Sequence, residues 1–255
     1  MFKSRFQKSM VLLSLLFPLL LVAQDVTSLL KEAKQLESAF RDSEALVKYM
    51  EVVKHDPSNL IALCKISELY SLLGKRQAKK EDQKAYFKAA RNFGQQALKA
   101  NANSAEANFV MALAMGRMAI ISSGEEKINA VKDIRTYADK CVQLDPQNFK
   151  GYHILGRWHY EVSNLSSVEK WLVKVTYGSL PPASMQDAIN YYEKSKQINP
   201  TLLVNYLELA KIYHKKDDNT KAIDMLNTLL KLPNVIYDDP TVKTEAKKLL
   251  KKWQN

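Results

Sequence analysis

The chain has 255 residues, enough for one or two domains with a sizeable core. Only 7 Gly and 8 Pro punctuate it, about half the usual share, which argues against turn-rich sandwiches, barrels and disulfide scaffolds. Hydrophobic content of 46% beside 25% charged residues excludes wholesale disorder, and the net charge of +11 favours acidic peptides or anionic surfaces as partners.

Residues 1–24 differ from everything after them. Lys3, Arg5 and Lys8 form a basic start without an acid, and Met10 to Ala23 is an apolar run of 14 residues. A bilayer-spanning helix needs about 20, so the segment reads as a secretory signal peptide cleaved after Ala23 or Gln24. Its Ala-Gln-Asp ending resembles Gram-negative export signals of the Bacteroides type. The expectation is an exported, periplasmic protein.

From residue 26 onward the sequence repeats itself. Ala45, Tyr49, Val52 and Pro57 are spaced by four, three and five residues. The same spacings recur at Ala90, Gly94, Ala97 and Ala102, then at Ile134, Ala138, Cys141 and Pro146. They recur again at Ala188, Tyr192, Ser195 and Pro200, and at Ala222, Leu226, Leu229 and Asn234. Ahead of these motifs lie second helical patterns: Leu63, Ile66, Ser67, Tyr70; Tyr152, Leu155, Gly156, His159; and Tyr206, Leu209, Ala210, Tyr213. Large, small and terminating residues in this order form the tetratricopeptide pattern. Small residues let paired helices approach, large ones fill the space opposite, and Pro cannot continue a helix.

The expected fold is therefore all-α, a tetratricopeptide-like α-solenoid of about five helix pairs. The approximate repeats are 26–57, 58–102, 103–146, 147–200 and 201–234, with a C-terminal capping helix over 239–253. Between His159 and Ala188 the fourth repeat carries twenty residues more than the fifth. The insert contains an amphipathic stretch, Val168 to Tyr177, ended by Gly178, Pro181 and Pro182. It is expected to pack back on the array as an extra helix. Cys64 and Cys141 sit inside apolar helical patterns and are expected as unpaired core residues. Two basic densities remain. Lys75 to Lys88 reads as a solvated helix face, and Lys247, Lys248, Lys251 and Lys252 interleave with Leu249, Leu250 and Trp253 in one amphipathic helix.

Beyond the generic repeat, the second half resembles the regulator of microtubule dynamics family. The resemblance is carried by Leu144-Asp-Pro-Gln-Asn148, the run from Leu155 through Gly156, Arg157 and Trp158 to Ser163, and Leu180-Pro-Pro-Ala-Ser184. It covers about 105–253, whereas 25–100 match only as repeats. It implies the fold and a binding role. An exported bacterial chain would meet neither microtubules nor organelle membranes, so those associations carry over only if the chain is eukaryotic.

No chemistry-bearing constellation emerges. There is no Gly-rich phosphate loop, no His-Glu-x-x-His, no Gly-x-Ser-x-Gly and no Cys-x-x-Cys. The acid pairs Glu125–Glu126, Asp217–Asp218 and Asp238–Asp239 sit at expected turns, where capping is their ordinary use. His159 occupies a core position usually held by Tyr. No enzyme activity, metal, cofactor or nucleic-acid partner is expected. The candidate site is the concave surface, lined by the first helix of each pair. In the fourth repeat its lining residues are Lys150, His153, Arg157 and Tyr160; in the fifth they include Leu207, Lys211 and His214. Cations from neighbouring helices interleaved with apolar side chains suit a protein or peptide partner of acidic character. Contact with a membrane surface through the Trp171 insert and the basic terminal helix is the alternative.

Overall fold

The computed structural model describes residues 26–254, so the signal-like segment 1–24 lies outside the described residues. A first helix α1 covers 26–38. It is followed by α2 (Asp42–His55), α3 (Leu60–Lys75), α4 (Lys80–Ala100), α5 (Ala105–Ile121), α6 (Gly124–Leu144) and α7 (Phe149–Ser163). Then come α8 (Ser167–Tyr177), α9 (Met185–Ile198), α10 (Leu203–Lys215), α11 (Asn219–Lys231) and α12 (Asp239–Trp253). The pairs α1/α2, α3/α4, α5/α6, α7/α9 and α10/α11 stack in chain order as an α-solenoid, with α8 inserted in the fourth and α12 closing the end. Among the described residues no helix is long and apolar enough to cross a membrane.

Local sequence explains the joints. Asp56, Asn101, Asp145 and Asn199 each accept, through a side-chain oxygen, the backbone N–H two residues on. These Asx-turns reverse the chain after the second helix of each of the first four pairs. Asn59, Ser104 and Asn148 then cap α3, α5 and α7 by accepting the N–H three residues later. The spacing motif is the packing face: Ala45, Tyr49 and Val52, Ala188 and Tyr192, and Ala222, Leu226 and Leu229 are all buried. Gly156 shows why small residues alternate with large. A Cβ there would stand 2.8 Å from the Tyr192 ring. Cys64 and Cys141 are free and buried in one core cluster, and burial pushes both thiols up to about 12.

One contact joins distant parts of the array. Arg76, just after α3, pairs with Asp42 at 2.6 Å and with Asp238, ahead of α12, at 2.9 Å. Its guanidinium also lies 4.2 Å from the centroid of the Tyr237 ring. Within the Lys75–Lys88 density this residue is thus a half-buried tie between the second repeat and the cap, where a solvated face was expected. The acid pairs serve termini. Glu125 and Glu126 lie in the first turn of α6, and Asp218 caps α11. Asp239 is buried and accepts the N–H groups of Val235 and Ile236.

Candidate functional site

The inner surface is built by α3, α5, α7 and α10, and its N-terminal stretch is occupied by an ion lattice. Lys65 reaches Glu37 at 2.9 Å and Glu68 at 3.3 Å; Lys150 reaches Glu68 at 3.0 Å and Glu106 at 2.9 Å. Lys150 also sits 4.6 Å from the Phe109 ring centroid. Burial alone would raise the Glu68 carboxyl, but the ammonium groups of Lys150 and Lys65 overcome it and hold the group down at about 2. Lys150 is therefore a structural cation bridging three repeats, with its charge consumed inside the protein.

The fifth-repeat candidates are covered by the cap. Leu207 is buried in the cluster that joins α10, α11 and α12, contrary to its expected place in an open groove. Lys211 pairs with Glu208 and, at 2.9 Å, with Glu245 of α12. His214 stacks on Trp253 with centroids 4.1 Å apart. The physical reason is terminal: in the last repeat, positions that would line a trough face the helix standing where a sixth repeat would be. The same packing buries Leu250 and Ala246, so the apolar side of the basic C-terminal helix is used up internally.

The fourth-repeat candidates behave differently. His153 packs edge-on to Tyr192 and donates from Nδ1 to Asn205 Oδ1 at 2.6 Å, while Asn205 Nδ2 donates to Ser195 Oγ and Ser195 donates to the Phe149 carbonyl. Burial pulls its imidazole down, and the ring is neutral in this chain of bonds. Tyr160 is half-buried against the Ala188–Tyr192 cluster. Arg157 is exposed, its one ion pair among the described residues a loose 3.6 Å contact with Glu161. His159 is core, as its position suggests: Arg135 donates to its Nε2 at 2.8 Å, and the Trp158 and Tyr191 rings flank it.

His153 and Arg157 share a wall of a cavity of about 550 Å³. Leu113, Gly116 and Ile120 of α5, Ile128 and Val131 of α6, and Val162 of α7 make its apolar lining, and Leu172 and Val173 of α8 close one side. Arg117 lines it too. This residue was not a sequence candidate, yet it is the sole charged side chain after Glu106 in the apolar run of α5, a signal open to reading.

The inserted helix α8 is also informative. Ser166 and Glu169 form a complete capping box, so the helix is locally well defined. Val168, Trp171, Leu172 and Val175, at helical spacing, are 73%, 63%, 55% and 64% exposed. The insert is a helix as expected, but most of its apolar stripe faces solvent, Leu172 alone of the four also reaching the cavity edge, and it rests on α6 through its other side.

Stacked helix pairs around a curved inner surface define the class: a tetratricopeptide-type α-solenoid. Among solved structures, a thermophilic tetratricopeptide protein of Thermus thermophilus is similar at a TM-score of 0.66 and 12% identity, covering 88% of this chain and 99% of that one. Pseudomonas aeruginosa pilF is similar at 0.55 and 13% identity, covering 91% and 92%. Both likenesses concern the fold. The family profile described as regulator of microtubule dynamics protein 1-3 matches residues 29–254, and the chain belongs to that family. The match begins well ahead of the 105–253 region in which the resemblance was legible. Regulator of microtubule dynamics protein 1 of Caenorhabditis elegans is 30% identical over 64% of this chain and 72% of that protein. Protein 3 of Rattus norvegicus is 26% identical over 73% of this chain, which spans 40% of the rat protein. Protein 2 of the rat is 26% identical over 87% of this chain and 52% of its own length.

These relatives are eukaryotic, which corrects the expectation of a Gram-negative periplasmic protein. The physical reason is that a basic start followed by an apolar run specifies affinity for a membrane environment and carries no record of which membrane. The bacterial reading rests on the three residues Ala23, Gln24 and Asp25 that end that run.

Proposed function

We propose that the chain is a non-enzymatic interaction module that holds a partner protein on its inner surface around α5 and α7, within the process that the family's name gives, microtubule dynamics. One observation carries this reading. The inner surface elsewhere is filled by paired charges or by the cap, while at His153, Arg157 and Arg117 it opens into an apolar cavity with cations at its wall. An open, mostly apolar recess with few convergent polar groups is the usual form of a binding site. The test compares the full chain with Arg157→Glu, by capture from eukaryotic cytosol with mass spectrometry and by co-sedimentation with polymerised tubulin. A partner held by the wild type and lost by the folded variant supports the reading; retention by both places the site on the outer surface.

The outward stripe of α8 favours a second reading, contact with an anionic membrane surface. Trp171 and three aliphatic side chains stand beside Lys170 and Lys174, the arrangement of an interfacial helix. Pelleting with vesicles containing phosphatidylserine should fall several-fold on Trp171→Ser; no pelleting by the wild type rejects this reading.

A further inference from the structure

Arg117 is a poorly compensated charge. Its Nε is buried without a hydrogen-bond partner, and the side chain makes no ion pair among the described residues. Its guanidinium carbon stands 6.0 Å from the Phe87 ring centroid, at the outer limit of a cation–π contact, which compensates little for lost hydration. Burial, with repulsion from the neighbouring Arg157 second, pulls the guanidinium down to about 10. A buried cation without a partner destabilises a fold, and isosteric apolar replacements of such groups are commonly neutral or stabilising. Asp238, already paired with Arg76, only partly offsets this pull on Arg117; two guanidinium groups facing one cavity, one of them without an ion pair among the described residues, are complementary to a further carboxylate.

The rest of the cavity says what accompanies that carboxylate. Leu113, Ile128 and Val131 offer an apolar floor with the exposed Ile120 at its edge, and Gly116 leaves it open, since a Cβ there would meet only Ile134 at 4.0 Å. The volume of about 550 Å³ suits two or three apolar side chains and is tight for a two-chain lipid. Rim charges of both signs, Lys127, Glu161 and Glu169 beside Arg157, match a polypeptide better than a uniformly anionic surface. Building on the inner-surface reading above, we propose that this cavity is the anchor pocket for an acidic–apolar segment of the partner protein. Leucine-like or aromatic side chains of that segment fill the floor, and an adjacent Asp or Glu carboxylate accepts from Arg117, with Arg157 as its second cation.

The test uses the full chain and a phage-displayed library of random 12-residue peptides, followed by fluorescence anisotropy with the selected peptide. The enriched sequences are expected to place Asp or Glu within four residues of Leu, Ile, Phe or Trp. Arg117→Met should raise Kd at least tenfold while raising Tm by a few degrees, and Gly116→Leu, which fills the pocket, should abolish binding. Replacing the peptide's acid with its amide should weaken binding to wild type and add nothing further in Arg117→Met. Selected peptides without an acid, or an unchanged Kd in Arg117→Met, overturn the proposal while leaving the inner-surface reading standing. Displacement of the peptide by phosphatidylcholine vesicles would assign the cavity to lipid and overturn it also. A library that yields no binder sinks the inner-surface reading itself.

Discussion

Two neighbouring stretches of the inner surface carry cations in opposite states. Around α1, α3 and α5, Lys65 and Lys150 are locked among Glu37, Glu68 and Glu106, each within 3.3 Å of two carboxylates. Around α5 and α7, Arg117 makes no ion pair among the described residues and Arg157 makes only a loose, exposed one. Both regions read alike in sequence, as basic residues on the first helix of a repeat. The difference lies in which acids the winding of the array brings across: Glu68 meets Lys150 from two repeats away. A paired cation is part of the scaffold; an unpaired one beside a cavity is available to something else.

The sharpest way to break this comparison is to attack the lattice. Glu68→Gln should destabilise the fold by roughly 3 kcal/mol, the scale for breaking a buried pair, read by urea unfolding. Because the Glu68 carboxyl is held at about 2, against an ordinary value of about 4.3, its contribution is fully present above that ordinary value. It is lost as pH falls toward 2, so wild type and Glu68→Gln should converge in stability between pH 4.5 and 2. Parallel acid-unfolding curves would instead mean that the lattice does not hold the repeats together.

A smaller effect is expected where the two regions meet. Gly156→Ala drives a methyl group against Tyr192, a 2.8 Å contact with a ring fixed on all sides. Overpacking costs about 1–3 kcal/mol, offset by about 1 kcal/mol of helix propensity, so a net loss near 1 kcal/mol is expected in thermal melts. The smallest effect belongs to the open region. Arg157→Ala should change stability by less than about 0.5 kcal/mol, as for exposed pairs, and a loss above about 1.5 kcal/mol would place Arg157 with the scaffold cations.

Fold was legible because its determinants are local and periodic. Ala188, Tyr192, Ser195 and Pro200 announce a helix face and its stop without reference to any other residue, and so does each copy. The site was legible only in part. His153 and Arg157 were reachable from repeat positions and do line the cavity. Lys150 was placed on the right surface, but its partner Glu68 lies 82 residues away, and no spacing rule connects them. Leu207, Lys211 and His214 were read by the interior-repeat rule, whereas the end of the array is governed by the cap. For α8 the apolar period was visible in Val168, Trp171, Leu172 and Val175, but periodicity fixes the existence of a face and leaves open which way it points.

The Arg76 tie changes what kind of object the array is. An ordinary solenoid unfolds like a zipper, because each repeat feels only its neighbours. Here a contact spanning 162 residues of chain binds the second repeat to the lead-in of α12, so fraying at one end loosens the other. Removal of α12 should therefore increase hydrogen exchange in α2 and α3 as well as in α10, and a partner seated between the two ends would stiffen both at once.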